Sequence, residues 1–131
     1  MTKTVTTWLG DHRFEGNHDG NRILIDGDKK NGHGPKALLL SSLAGCSGVD
    51  IVDILTKMRV SFSQFSMEVE ADQTTEFPKV FTDILITYKM KADAADEAKI
   101  RKAIDLSMEK YCGVTAMLRK NSAINYKLEL L

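Results

Sequence analysis

The chain has 131 residues, 43% hydrophobic and 27% charged, a composition that excludes a disordered or collagen-like polymer and suits one domain over residues 1–131. Its 18 Lys plus Arg balance 18 Asp plus Glu, so no charge footprint points to nucleic acid or an anionic membrane surface. The longest uncharged stretch, Ala37 to Val49, is 13 residues and short of a bilayer span, and the start MTKTVTTWLGDH has no apolar signal core, so the expectation is a cytoplasmic protein with no membrane partner.

Thr2 to Trp8, rich in Thr and Val, reads as a strand. His12–Gly16 and Arg22–Asp26 flank Asn17-His18-Asp19-Gly20-Asn21, whose Asp-Gly pair signals a hairpin, so the opening reads as a three-stranded antiparallel meander. A polar loop, Gly27 to Gly34, leads to Pro35, placed where the first residue of a helix needs no N–H. From Lys36 to about Met58 the pattern is helical. Leu38, Leu39, Leu40, Leu43, Ala44, Val49, Ile51, Val52, Ile54 and Leu55 cover nearly its whole circumference, which predicts a buried helix. Gly45 and Gly48 each weaken it by about 1 kcal/mol relative to Ala, so a closely approaching backbone is expected there. A chain this short has few ways to surround one helix, and part of the cover is therefore expected from a second subunit.

Phe65, Met67, Val69 and Ala71 alternate with polar residues as a half-buried strand. Val80 to Met90 forms a longer strand, with Val80, Thr82, Ile84, Ile86 and Tyr88 sharing a face. Asp93 or Asp96 caps a second helix whose inward stripe is Ile100, Ala103, Ile104, Ser107, Met108 and Tyr111. Gly113 interrupts it, Val114 to Arg119 makes a short further helix, and Ile124, Tyr126, Leu128 and Leu130 alternate along a last strand. The order βββ-α-ββ-α-(α)-β predicts an α+β domain, an antiparallel sheet covered by a helical layer with the cysteine helix at its centre.

Cys46 and Cys112 are the only cysteines. Each is open to two readings, an inert small hydrophobe or a redox-active thiol. Asp50 lies one helical turn after Cys46 and disfavours a thiolate there unless a cation intervenes. Cys112 sits between Tyr111 and Gly113 at the start of the short helix, where partial positive charge is expected to lower its pKa. His12, His18 and His33 with Asp11 and Asp19 lack ligand spacing on a common face, so no metal site is expected. The loop before Pro35 lacks the Lys-Ser/Thr pair of a phosphate loop, and no cofactor is expected.

Two segments carry a family resemblance. GPKALLLSSLAGCSGVDIVDILTKMR, residues 34–59, resembles the cysteine helix of the OsmC/Ohr family, the osmotically inducible protein C and organic hydroperoxide resistance proteins. LSMEKYCGVTAMLRK, residues 106–120, resembles that family's second cysteine motif, and Asp50-Ile51-Val52-Asp53-Ile54-Leu55 is similar to the OsmC-like branch. The resemblance implies an intertwined homodimer and a cysteine-based peroxidase. Cys46 would be the peroxidatic residue and Cys112 the resolving one; an organic hydroperoxide would be the substrate, in a pocket lined by apolar helix residues, and a dithiol the reductant.

The chain departs from the family at one point. The Glu that stands ten residues before the first cysteine, holding an amino-terminal Arg over the thiol, is replaced by Lys36, followed by Ala37. Arg13, in preference to Arg22, is the available arginine, and Asp50 its expected holder. The missing Glu motivates a second expectation, a non-catalytic dimer that holds a small apolar ligand.

Overall fold

The hairpin signal at Asp19-Gly20 acts as its chemistry requires. In a computed structural model describing Met1–Leu131, both residues have positive φ, 51° and 84°. That backbone twist matches the right-handed twist of two antiparallel strands. Strands β1 (Val5–Gly10), β2 (Arg13–His18) and β3 (Asn21–Asp26) form the expected meander in the order β1-β2-β3. Helix α1 (Pro35–Lys57) follows, with Pro35 its first residue. Then come β4 (Phe62–Gln73), β5 (Phe81–Ala92), α2 (Glu97–Leu106), α3 (Gly113–Arg119) and β6 (Ala123–Leu130), the element order read from the sequence.

The chain divides into two compact units, Met1–Leu40 and Ser41–Leu131. In the first, the buried Asp26 carboxylate organises the polar loop. It accepts from the backbone N–H groups of Asp28 at 2.8 Å, Lys30 at 3.3 Å and Asn31 at 3.1 Å. The Asp28 amide bond is the main reason its pKa falls below the usual carboxylate value, with the Arg13 charge a lesser one. Trp8, Phe14 and Ile25 lie opposite one another across the three strands, and Trp8 and Phe14 stay exposed, leaving an apolar face uncovered.

In the second unit β5 is the central strand of a sheet ordered β4-β5-β6. Ile84, Ile86, Tyr88 and Met90, two residues apart, are buried on one face as period-two patterning dictates. The sheet is not wholly antiparallel: β6 pairs with β5 in parallel, Ile84 opposite Ile124 and Tyr88 opposite Leu128. A parallel partner needs a crossover of a dozen residues or more, and α2 and α3 supply one.

Helix α1 buries a single stripe, Leu43, Ser47, Gly48, Ile51 and Leu55, at helical spacing. Each of its three large aliphatics contributes about 1.5–3 kcal/mol by leaving water. At Gly48 a Cβ would fall 2.8 Å from Met67 Cε, so a side chain of β4, and not a backbone, fills the space expected for a close approach. Gly45 faces open space, while Val49 and Val52 stay exposed. The all-round burial expected for this helix is therefore not met within one chain.

Charge-free length also understated α1. Over its 23 residues it is long and apolar enough to cross a membrane, because isolated charges do not interrupt the apolar run. Its buried stripe nevertheless carries Ser47 in a hydrogen bond to the sheet, the mark of a helix packed on protein.

Candidate functional site

The site is built from the carboxyl-terminal half of α1, the middle of β5 and the segment that joins α2 to α3. Asp93 caps the 3₁₀ turn ahead of α2 by accepting from Ala95 N at 2.9 Å, and Ile100, Ala103 and Ile104 then bury the expected stripe. At Ser107 the winding changes. Ser107–Tyr111 form a π-helical turn, closed by the Cys112 N–H donating to the Ser107 carbonyl at 2.7 Å. Wider winding alters which residues face inward. Ser107 and Met108 stay buried, but Tyr111, expected in the stripe, is 53% exposed. Arg119 of α3 braces the turn, its Nη1 donating to the Met108 carbonyl at 3.2 Å.

The turn delivers Cys112 to the position just before α3, as its cap. Its sulfur accepts from the Thr115 N–H at 3.4 Å. The Cys46 thiol of α1, half-buried, lies near enough to this sulfur to push its pKa up. Two cysteines 66 positions apart in sequence are thus adjacent in space, both as free thiols.

The expected lowering of the Cys112 pKa is reversed. Cys112 is 3% exposed, and burial pushes its thiol up, further raised by the Cys46 thiol. The Thr115 hydroxyl and N–H act in the opposite direction without prevailing. Removing the sulfur from water penalises the charged form more than one short helix end favours it.

A second polar cluster lies beside the thiols, and its role was not foreseen. The Ser47 hydroxyl is 2.6 Å from the Tyr88 hydroxyl, and the Ser107 hydroxyl is 3.0 Å from Ser47 Oγ and 3.0 Å from Asp50 Oδ2. A carboxylate only accepts and Ser107 has one proton. Ser107 therefore donates to Asp50, Ser47 donates to Ser107, and Tyr88 donates to Ser47. Burial pushes the Tyr88 phenol up to about 12, with Cys112 and Asp50 among the groups that add to it. The available signal was a hydroxyl wherever an apolar stripe called for an aliphatic: Ser47 in α1, Ser107 in the turn after α2 and Tyr88 in β5 all interrupt such stripes.

Asp50 is thus held by Ser107, which also accepts the Cys112 N–H, so one residue ties the second cysteine to the helix of the first. Arg13 opens β2, facing Asp26 in the strand register, and its charge acts on that carboxylate. A cleft of about 420 Å³ opens beside the cluster, lined by Asp50, Asp53, Ile54, Lys57, Met58, Leu106 and Tyr111. Its wall mixes charged and apolar groups and includes neither cysteine.

Residues 27–127 match the family model described as OsmC-like protein. Protein YhfA of Escherichia coli strain K12 is 32% identical over 113 residues, covering 86% of this chain and 84% of its own length. The crystal structure of an OsmC like protein from Mycoplasma pneumoniae superposes with a TM-score of 0.87 at 20% identity, covering 100% of this chain and 97% of the other. The organic hydroperoxide resistance protein OhrB of Bacillus subtilis gives 0.68 at 13% identity, covering 98% of each chain. At those identities the two structures share the fold, and the family match over residues 27–127 adds what fold alone does not: this chain belongs to the OsmC-like family.

Proposed function

We propose that the chain is a thiol peroxidase that reduces organic hydroperoxides through a disulfide between Cys46 and Cys112, in stress defence. The observation that carries this reading is the meeting of the two thiols, from α1 and from the turn before α3. Their unequal burial divides the roles. Cys46, half-buried, can meet a peroxide, whereas Cys112 is shielded and suited to capture an intermediate formed next to it. The Cys46 thiolate attacks the outer peroxide oxygen, releasing an alcohol and becoming sulfenic acid; Cys112 then condenses with it, expelling water. A dithiol restores both sulfurs. This chemistry fits a reducing cytoplasm, where free thiols persist.

The working form is a homodimer on this reading. Support comes from the apolar surface one chain leaves open: Val49 and Val52 on α1, and Trp8, Phe14 and Ile23 on the meander. Sedimentation at micromolar concentration is expected to give twice the 14.6 kDa chain mass, and a stable monomer would remove this part. The reaction itself is tested by counting free thiols before and after one equivalent of cumene hydroperoxide. Two thiols per chain should be lost together and recovered with dithiothreitol, and Cys46→Ser should consume no peroxide. Undiminished turnover by that variant would overturn the assignment.

A further inference from the structure

One buried side-chain polar atom of this chain lacks a hydrogen-bond partner, the Oγ1 of Thr115, a residue with no exposure to solvent. It stands beside the Cys112 sulfur, near enough to favour a thiolate there, yet it does not complete a hydrogen bond to the thiol. The N–H of the same residue already donates to that sulfur at 3.4 Å. A neutral thiol is a feeble acceptor, and a thiolate a good one. The hydroxyl therefore gains a partner only when the sulfur is charged. A donor left unmet in the ground state and met in the charged state lowers the energy of the second relative to the first.

We infer that Thr115 is a catalytic residue, its hydroxyl and N–H together holding the negative charge that develops on the Cys112 sulfur. This rests on the two-cysteine reading above and supplies what that reading lacks, an activating group for a deeply buried thiol. The charge arises twice in the cycle. In resolution, Cys112 gives up its proton and its sulfur attacks the Cys46 sulfenic sulfur; the S–S bond forms, the S–O bond breaks, and the departing hydroxide takes the released proton to leave as water. In reduction, a thiolate of the dithiol attacks the Cys46 sulfur and Cys112 departs as a thiolate. The reductant's second thiol then displaces Cys46, closing the reductant's own disulfide, and its two protons return to the protein sulfurs.

The groups that act on or with Cys112 are Cys46 from α1, Tyr88 from β5 and Thr115 from α3, with Asp50 acting in turn on Tyr88. Burial and Cys46 oppose the thiolate, so losing the Thr115 hydroxyl should leave them unopposed by any side-chain donor at that sulfur.

The test begins without peroxide. In a Cys46→Ser background, the ultraviolet absorbance of the Cys112 thiolate is followed against pH. Thr115→Val is expected to raise the midpoint by about one pH unit, equal to a tenfold loss of thiolate, and Thr115→Ser to leave it in place. Should the valine variant not fold, Thr115→Ala read against Thr115→Ser gives the same comparison. In the two-cysteine protein, Thr115→Val is then expected to accumulate Cys46 sulfenic acid, trapped with dimedone, after one equivalent of cumene hydroperoxide. An unchanged midpoint, or equal midpoints in the valine and serine variants, would overturn the role of the hydroxyl. A raised midpoint with no sulfenic acid in any variant would uphold charge stabilisation by Thr115 while overturning the peroxidase reading and, with it, Thr115's place in catalysis.

Discussion

Two clusters of polar side chains lie side by side in the second unit, and they are completed differently. In one, Tyr88, Ser47, Ser107 and Asp50 form an unbroken chain, each hydroxyl proton having an acceptor and the carboxylate closing the series. In the other, two thiols lie near each other and the Thr115 hydroxyl has no partner. A completed buried network rigidifies what it joins. An incomplete one holds back a donor that a new charge can claim. The contrast separates positioning from reactivity: Ser107 fixes where Cys112 sits, and Thr115 governs how readily its sulfur carries charge.

The largest expected effect bears on the completed chain. Below pH 10 Tyr88 is neutral whether folded or unfolded. Between 10 and about 12 the unfolded phenol ionises while the folded one does not, so stability falls as pH rises through that window. The loss attributable to this group is about 2–3 kcal/mol, measured as the difference between wild type and Tyr88→Phe in urea unfolding across that range. If both proteins lose stability equally, Tyr88 is not held neutral as described.

Ser107→Ala removes the link between Ser47 and Asp50 and is expected to destabilise by about 1–3 kcal/mol, read from the urea midpoint at neutral pH. Because Ser107 also accepts the Cys112 N–H through its carbonyl, which alanine retains, the cysteine pair should still form its disulfide. The smallest effect sharpens the contrast most. Thr115→Val deletes a hydroxyl that has no partner while conserving shape, so its stability should stay within about 0.5 kcal/mol of wild type or exceed it. A loss as large as that of Ser107→Ala would mean that the two clusters are completed alike.

Much of the frame was legible where a local rule decides. Asp19-Gly20 requires positive φ, Pro35 suits a first helical position, and alternation along β4, β5 and β6 follows from the pleat. The π-turn was not legible, since one wider turn leaves no periodic trace, and it is why Tyr111 turns outward while Cys112 turns in. The parallel pairing of β6 was hidden for another reason: alternation reports which face is buried and is silent on strand direction.

The sequence alone determined the α+β class, the element order and the two cysteines as the residues to watch, because propensity, turn chemistry and motif spacing act over a few neighbours. Tertiary structure decided the rest. Only folding across 66 positions sets Cys46 against Cys112, and only burial reverses the expected lowering of the Cys112 pKa. The hydroxyls around the thiols come from α1, β5, the π-turn and α3, and an arrangement assembled from three separate regions of the chain has no spacing by which it could be read.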